Sequence, residues 1–581
     1  MILTALADLY ERMAEVGQAP RRGFASVPIG AEVEIDCDGR VLRVASRLMP
    51  EGKRMVAGTM NVPVPVKRTV GIAANRFWDK TAYALGVTVV ELPEGGVVAS
   101  MGRRTEAEHA AFRNLHCDLL SDAEDPGLAA FLRFLESWNP ADFAASGYPM
   151  EVLDQNVVFR LPGGIYLHER AAALGYLEAA SEASPVMCLV TGDQAAPTRL
   201  HPSLKGVAGA QSSGASLVSF NKPADESYGK VQGANAPVSE PAAFAYGTAL
   251  NTLLSSPRHH IRVGDATVVF WAETERRDTG SAVEEAIWFA LSGGEDDIAA
   301  QNKLRAGMTN LAQGRAAPEP GFDPETRVYV LGLAPNAARL SVRFWQAERL
   351  GDLAGNVTRF WDELHIEPSP WKGIPAAWGL LYETALQAKA ENIPPRLGGD
   401  LMRAVLTGGH YPRTLLAGVI GRIRADGQVN GRRAAIARAF VARNIGQEVI
   451  PVALDPDNPS PAYRLGRLFA VLEGIQRAAL PGLNATIKDR WFAAASATPA
   501  RVFPVLVKNA THHLALMRKG ESGGLAHWLE MEMGAIWAGL EPDLPRSLTL
   551  EDQGRFVAGY YHQRFTKRDR ADKPIVEDAE Q

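Results

Sequence analysis

VYVLGLAPNAARLSVRFWQ, residues 328–346, decides the fold. It holds two strand-like runs, and in the second Leu340, Val342 and Phe344 alternate with Arg339, Ser341 and Arg343. That period of two predicts a strand with one apolar and one basic face. TVVFWAE (267–273) predicts a third strand, and EVEIDCDGRVLRV (32–44) a hairpin, because Asp38-Gly39 between β-rich arms favours a tight turn. Glu284 to Leu311 has helical periodicity, an acidic patch at Glu295, Asp296 and Asp297, and a terminating Pro/Gly connector, AAPEPGFDPE. From about residue 370 the pattern is helical. AYRLGRLFAVLEGIQRAAL (462–480) puts Leu465, Leu468, Phe469, Leu472 and Ile475 on one stripe, with Arg464 and Arg467 outside it.

The fold class expected is therefore α+β: a mixed, mainly antiparallel β-containing N-terminal body with helical insertions, followed by an all-α C-terminal helical bundle. The divisions expected are an α+β body over 1–365, with a helical insertion at about 280–322, a basic helical connector over 366–455 and a bundle over 456–566. DPDNPSP (455–461) is the linker, and the tail 567–581 is expected to be disordered.

A chain of 581 residues, 46% hydrophobic and 22% charged, has ample material for a core and for several domains. Cys37, Cys117 and Cys188 lie far apart with no CxxC, so neither a disulfide framework nor a zinc site is indicated, and no cofactor or metal is expected. MILTALADLYERMAE carries charges among its apolar residues and reads as an amphipathic helix rather than a signal peptide. No later run is long and apolar enough for a membrane span, so a cytoplasmic protein is expected. The net charge of −5 argues against a uniformly basic nucleic-acid binder. Between Arg396 and Arg443, however, nine arginines face two aspartates, a local excess that predicts an anionic partner or a solvated helical surface.

KGVAGAQSSGASLVSFN (205–221) is the richest candidate site. Gly206, Gly209 and Gly214 permit positive φ and close backbone approach, while Gln211, Ser212, Ser213 and Ser216 supply short polar groups. GAQSSGAS has the spacing of a phosphate-binding loop, but Ala215 stands where its lysine belongs. The stretch also approaches a nucleophile elbow, with Ala210 in place of the first glycine and no assignable acid or histidine partner. His259-His260 and His512-His513 are adjacent pairs that do not share a face, and His201 beside a proline reads as structural. Asp265 and Glu273 are separated by about 26 Å along an extended strand, too far for shared chemistry. What remains is recognition. Lys205, Lys222 and Lys230 can hold phosphates, and Gln211, Asn221 and Asn235 can read base edges; a loop ordered against its own fold accounts for the same residues equally well.

LVTGDQAAPTRLHPSLKGVAGAQSSGASLVSFN (189–221) and ESYGKVQGANAPVSEPAAFAYGTALNTLL (226–254) resemble the signature of the type I-C CRISPR-associated large-subunit family, the Csd family. RTVGIAANRFWDKTAYALG (68–86), TVVFWAE, LGLAPNAARLSVRFW, AYRLGRLFAVLEGIQ and ATIKDRWFAAASATPARVFPVL resemble its other blocks, covering nearly the whole chain. The resemblance implies a non-enzymatic subunit of an RNA-guided surveillance complex (Cascade). It implies recognition of a protospacer-adjacent motif on double-stranded target DNA, stabilisation of the opened strands (the R-loop) and recruitment of a helicase-nuclease, in antiviral defence. The guide RNA ribonucleoprotein, with its backbone and guide-processing subunits, and a small subunit are the implied partners. The C-terminal bundle resembles that small subunit, which the family makes by internal translation. With no methionine between Met402 and Met517, such a start near the linker would need a valine or leucine codon, Val449 and Val452 being candidates.

On this basis Gln211, Ser212, Ser213, Asn221 and Asn235 are expected to read the motif, and Lys205, Lys222, Lys230, Arg339 and Arg343 to hold phosphates. Arg68, Arg76, Arg422, Arg424, Arg432, Arg433, Arg464 and Arg467 are expected to line a nucleic-acid groove. Phe77, Trp78, Trp491, Trp528 and Trp537 are read as core first. A serine or nucleotide hydrolase built on the Gly/Ser loop and a protein-only scaffold are the competing classes.

Overall fold

The computed structural model describes residues 1–566 except 53, 67, 69–70, 93–95, 178–183, 275–276, 294–297, 316–321, 447–449 and 521. The acidic patch Glu295–Asp297, the tail 567–581, Val449 and most of the Pro/Gly connector therefore lie outside the described residues. The fold is α+β, with antiparallel sheets and a helical C-terminal region. The chain divides into two compact units, one of Met1–Pro202 with Ser219–Leu250, the other of Ser203–Val218 with Asn251 onward. This division differs from the boundary expected at 365.

In the first unit, the N-terminal helix Ile2–Glu15 buries Leu6, Leu9 and Tyr10. The expected hairpin forms from Ala31–Ile35 and Val41–Ser46. Its turn is set by Asp36, whose carboxylate accepts the N–H groups of Asp38 (2.9 Å) and Arg40 (2.8 Å). Gly39 at φ +84° leaves no room for a side chain, which would overlap the Phe134 amide. Ala31–Ile35 also runs parallel to Asn156–Arg160, which pairs on its other side with Trp78–Lys80. Val33, Ile35, Val157 and Phe159 point inward, onto Phe77, Phe112, Phe131 and Phe134. A second sheet has the order Phe24–Ile29, Arg54–Pro63, Leu48–Glu51.

The second unit is built on the antiparallel meander His260–Val263, Ala266–Glu273, Arg327–Asn336, Arg339–Arg349. Helices Arg277–Ser292 and Ile298–Ala312 fill the expected insertion. The predicted alternation on the last strand holds for Leu340 and Phe344, which are buried, but Val342 is 43% exposed. A register shift opposite Gly332/Leu333 leaves Arg343 as an extra residue and breaks the period of two. Gly332 is obligatory there, since a side chain would press into the Phe344 ring.

One apolar core runs from Ile261 in this sheet to Tyr561 in the C-terminal helices. This shared core is why the meander clusters with the helices rather than with the N-terminal sheets. Helix Pro461–Ala479 starts at Ser460, which caps the Tyr463 N–H, with proline at its first position, and buries the predicted stripe. Leu550–Phe565 lies along it so closely that side chains at Gly466 and Gly559 would overlap the carbonyl oxygens of Phe556 and Tyr463 respectively.

Candidate nucleic-acid interface

The Gly/Ser loop divides between the two units. Its first part, Ser203–Val218, belongs to the second unit and is closed at its base by reciprocal bonds between Leu204 and Ala215, both 2.9 Å. Asn251 locks the entry, accepting the Lys205 N–H (2.9 Å) and donating to the Ser203 carbonyl (3.1 Å). Thr267, buried in the sheet, accepts the Ala208 N–H at 3.0 Å. Ser216 joins the meander by accepting from the Leu340 N–H (3.0 Å) and donating to Ala338 (3.1 Å). Leu204, Val207 and Ala215 are buried.

The glycines serve this anchoring. Gly206 (φ +90°) turns the chain against Leu254, and Gly214 (φ +95°) turns it against Leu204; Gly209 (φ +79°) sits beside Pro335. They bring the backbone close to its own sheet. The tip does not follow it inward: Gln211, Ser212, Ser213 and Lys205 are exposed. Among the described residues the Gln211 amide has no hydrogen bond. The result is a fixed base presenting a short polar tip.

Asn221, Lys222 and Lys230 are exposed on the first unit. Asn235 is half-buried and committed to its own loop, accepting from the Ser227 N–H (3.1 Å) and donating to the carbonyls of Lys230 and Gln232, each 3.0 Å. Arg339 is half-buried beside the Ser216 junction. Arg343 is ion-paired with Asp265 at 2.6 Å.

The arginine-rich stretch departs from what its local charge count predicts. Arg433 is buried and divided between Asp426 (2.7 Å) and Glu383 (3.2 Å). Arg422 pairs with Asp426, and Arg424 donates to Gln553. Arg438 and Arg443 are buried, Arg443 against Glu363. Arg464 binds the carbonyls of Asn458 and Gly539, and buried Arg467 binds Glu532, Gln563 and two linker carbonyls. The acids and carbonyls that satisfy them come mostly from outside the counted stretch, so a sequence-local tally overstates the available charge. Arg432 stays exposed over the Trp371 ring. In the first unit Arg68 pairs with Asp79 and stacks on Tyr83, and Arg76 donates to the Tyr176 carbonyl. Phe77 and Trp78 are buried in the first unit; Trp491 and Trp528 pack partly against the second unit's core, and Trp537 is 39% exposed.

A different element carries exposed cations with no ion pair among the described residues. Helix Pro499–Arg518 has no acidic residue in 20, and Arg501, Lys508 and His512, at spacings of 7 and 4, lie exposed along one stripe that Lys519 continues. The absence of Asp and Glu from so long a helix was a legible signal, overlooked because its three cations and two histidines are diluted among apolar residues.

A serine–histidine–carboxylate chain does occur, at Ser256, His259 and Glu284. The Ser256 hydroxyl meets His259 Nδ1 at 2.6 Å, and His259 Nε2 meets Glu284 at 3.0 Å. The roles of the two ring nitrogens are exchanged relative to a hydrolytic triad, and the serine lies three residues away in the same turn. Glu284 also accepts the Ala272 N–H (3.0 Å), so the chain ties a turn and a helix to the sheet. Among the described residues no cluster of metal-ligating side chains occurs, and no helix is long and apolar enough to cross a membrane.

Residues 6–566 place the chain in one class, the CRISPR-associated proteins. The family model Cas_Csd1, CRISPR-associated protein, matches residues 6–566, and the chain belongs to that family. No match is found among the curated proteins.

Proposed function

We propose that this chain is the non-catalytic large subunit of a type I-C RNA-guided surveillance complex, in which it recognises the protospacer-adjacent motif on duplex DNA and stabilises the opened strands. The observation that carries the proposal is the exposed tip Gln211–Ser213 on a base anchored by Asn251 and Thr267. A side-chain amide offers a donor and an acceptor together, the pattern that reads base edges, and a fixed base avoids the ordering entropy of a mobile reader. Lys205, exposed at the base of the loop, takes a phosphate. Lys222, Lys230, Asn221 and Arg339 are secondary contacts. Asn235 is a positioning residue, since its amide is already committed.

The displaced strand follows the stripe Arg501, Lys508, His512 and Lys519, where charge is exposed and unopposed by acids on the same helix. Arg432, exposed over the Trp371 ring, is a further phosphate contact in this proposal. The helicase-nuclease, the guide ribonucleoprotein and a small subunit are the partners in this proposal, and the cytoplasm its location.

The test is reconstitution of the complex on its guide RNA with and without this chain, followed by binding of duplexes carrying an intact or scrambled motif at several salt concentrations. Motif-dependent, salt-sensitive binding that disappears without the chain is expected. Equal binding of both duplexes refutes motif recognition.

A further inference from the structure

Tyr228 stands at the tip of a tight turn, 99% exposed. Ser227 and Lys230 close the turn (Lys230 N–H to Ser227 carbonyl, 3.0 Å), with φ +52° at Tyr228 and +70° at Gly229. Positive φ at both central positions is the geometry for which Asn-Gly or Asp-Gly is the usual sequence, and a bulky residue at the first of them is strained. A residue that strains its own backbone and leaves an aromatic ring in water contributes nothing evident to folding, and such outliers gather at sites of function.

The turn is held rigidly from below. Asn235 makes its three bonds to the backbone of residues 227, 230 and 232. Gly233 lies so close to the Thr198 carbonyl that a side chain there would overlap it, and Arg199 donates to Gln232 at 3.2 Å. Around Gly229 there is open space. Lys230, which closes the turn, Lys222, six residues before the ring in the chain, and Arg199, bonded to Gln232, are exposed cations of the same segment; its acids are Asp225, which accepts the Lys222 N–H at 3.3 Å, and exposed Glu226.

We infer that Tyr228 is a base-stacking side chain: its ring packs on an unstacked base of bound nucleic acid while Lys222 and Lys230 contact the flanking phosphates. A rigid aromatic ring among cations matches a base and its phosphates better than it matches an apolar protein pocket. The inference rests on the nucleic-acid function proposed above and concerns the first unit by itself.

Tyr228→Asn and Tyr228→Phe separate the possibilities. Asparagine suits the turn, so that variant keeps the fold while losing the ring; phenylalanine keeps the ring. In the assembled complex on its guide RNA, with target duplexes carrying 2-aminopurine at successive positions in and beside the motif, Tyr228→Asn is expected to bind roughly 5- to 100-fold more weakly. It should also lose a fluorescence change at one position that wild type and Tyr228→Phe both give. Unchanged affinity and fluorescence in Tyr228→Asn, with wild-type binding still salt- and motif-dependent, overturn this inference alone. A folded Tyr228→Asn chain that fails to enter the complex also overturns it, since the ring then docks on protein. Absence of salt-dependent DNA binding by the wild-type complex overturns the proposed function itself.

Discussion

Arg443 meets Glu363 at 2.7 Å with both side chains fully buried. Glu363 also accepts from the Tyr411 hydroxyl (2.9 Å) and from Arg359 (2.9 Å), while Arg443 reaches the Ala404 carbonyl at 2.8 Å. Arg443→Ala removes one side of a buried pair and leaves the carboxylate only Arg359, at the protein's edge, as ion-pair partner among the described residues, which should cost about 3 kcal/mol. Arg403→Ala, at an exposed pair with Asp400, should change stability by less than about 1 kcal/mol. Denaturant unfolding of the two variants measures the contrast, and similar midpoints would refute it.

The crossing of Pro461–Ala479 with Leu550–Phe565 depends on two glycines. Gly466→Ala or Gly559→Ala forces the backbones apart, with a loss of about 1–3 kcal/mol from overpacking despite alanine's better helix propensity. Stabilisation in a thermal melt would show that the helices separate freely.

His116 predicts a pH dependence. Its Nε2 accepts the Phe77 N–H (2.8 Å) and its Nδ1–H donates to the Phe112 carbonyl (2.8 Å), so the neutral ring is the one that fits. Burial pushes its pKa down to about 4. The unfolded chain therefore takes up this proton first as pH falls. The stability from the neutral imidazole is complete above about pH 6.5 and is lost between there and 4, a term on the order of 3 kcal/mol. His116→Gln should remove part of that slope, His168 and His562, also pushed down to about 4 by burial, supplying the rest; a slope between pH 7 and 4 left unchanged by the substitution would contradict the assignment.

Lys205→Ala should weaken binding of intact-motif and scrambled duplexes alike and lower the salt slope by roughly one. A loss confined to the intact motif would make Lys205 a reader instead.

The hairpin over 31–46, the meander strands and the stripe Leu465 to Ile475 were legible because each has a local signal: a turn dipeptide, a period of two, a period near four. Val342 was misread because the bulge that exposes it arises from pairing with another strand. The arginine-rich stretch and Arg467 expose less charge than their local sequence suggests for a similar reason, since Glu383, Glu363 and Glu532, which partner Arg433, Arg443 and Arg467, are distant in sequence. Within the loop the polar tip could be picked out by composition. Asn251 and Thr267, which anchor it, could not, because nothing near residues 205–216 marks residues 46–59 positions away as partners. Tyr228 had a faint marker in the glycine that follows it.

Gln211→Ala in the assembled complex tests the account most directly. The ratio of affinities for an intact-motif and a scrambled duplex should fall by about 1–3 kcal/mol, with scrambled-duplex affinity and salt slope unchanged. An unchanged ratio, or an equal loss on both duplexes, would contradict the claim that this amide reads the motif.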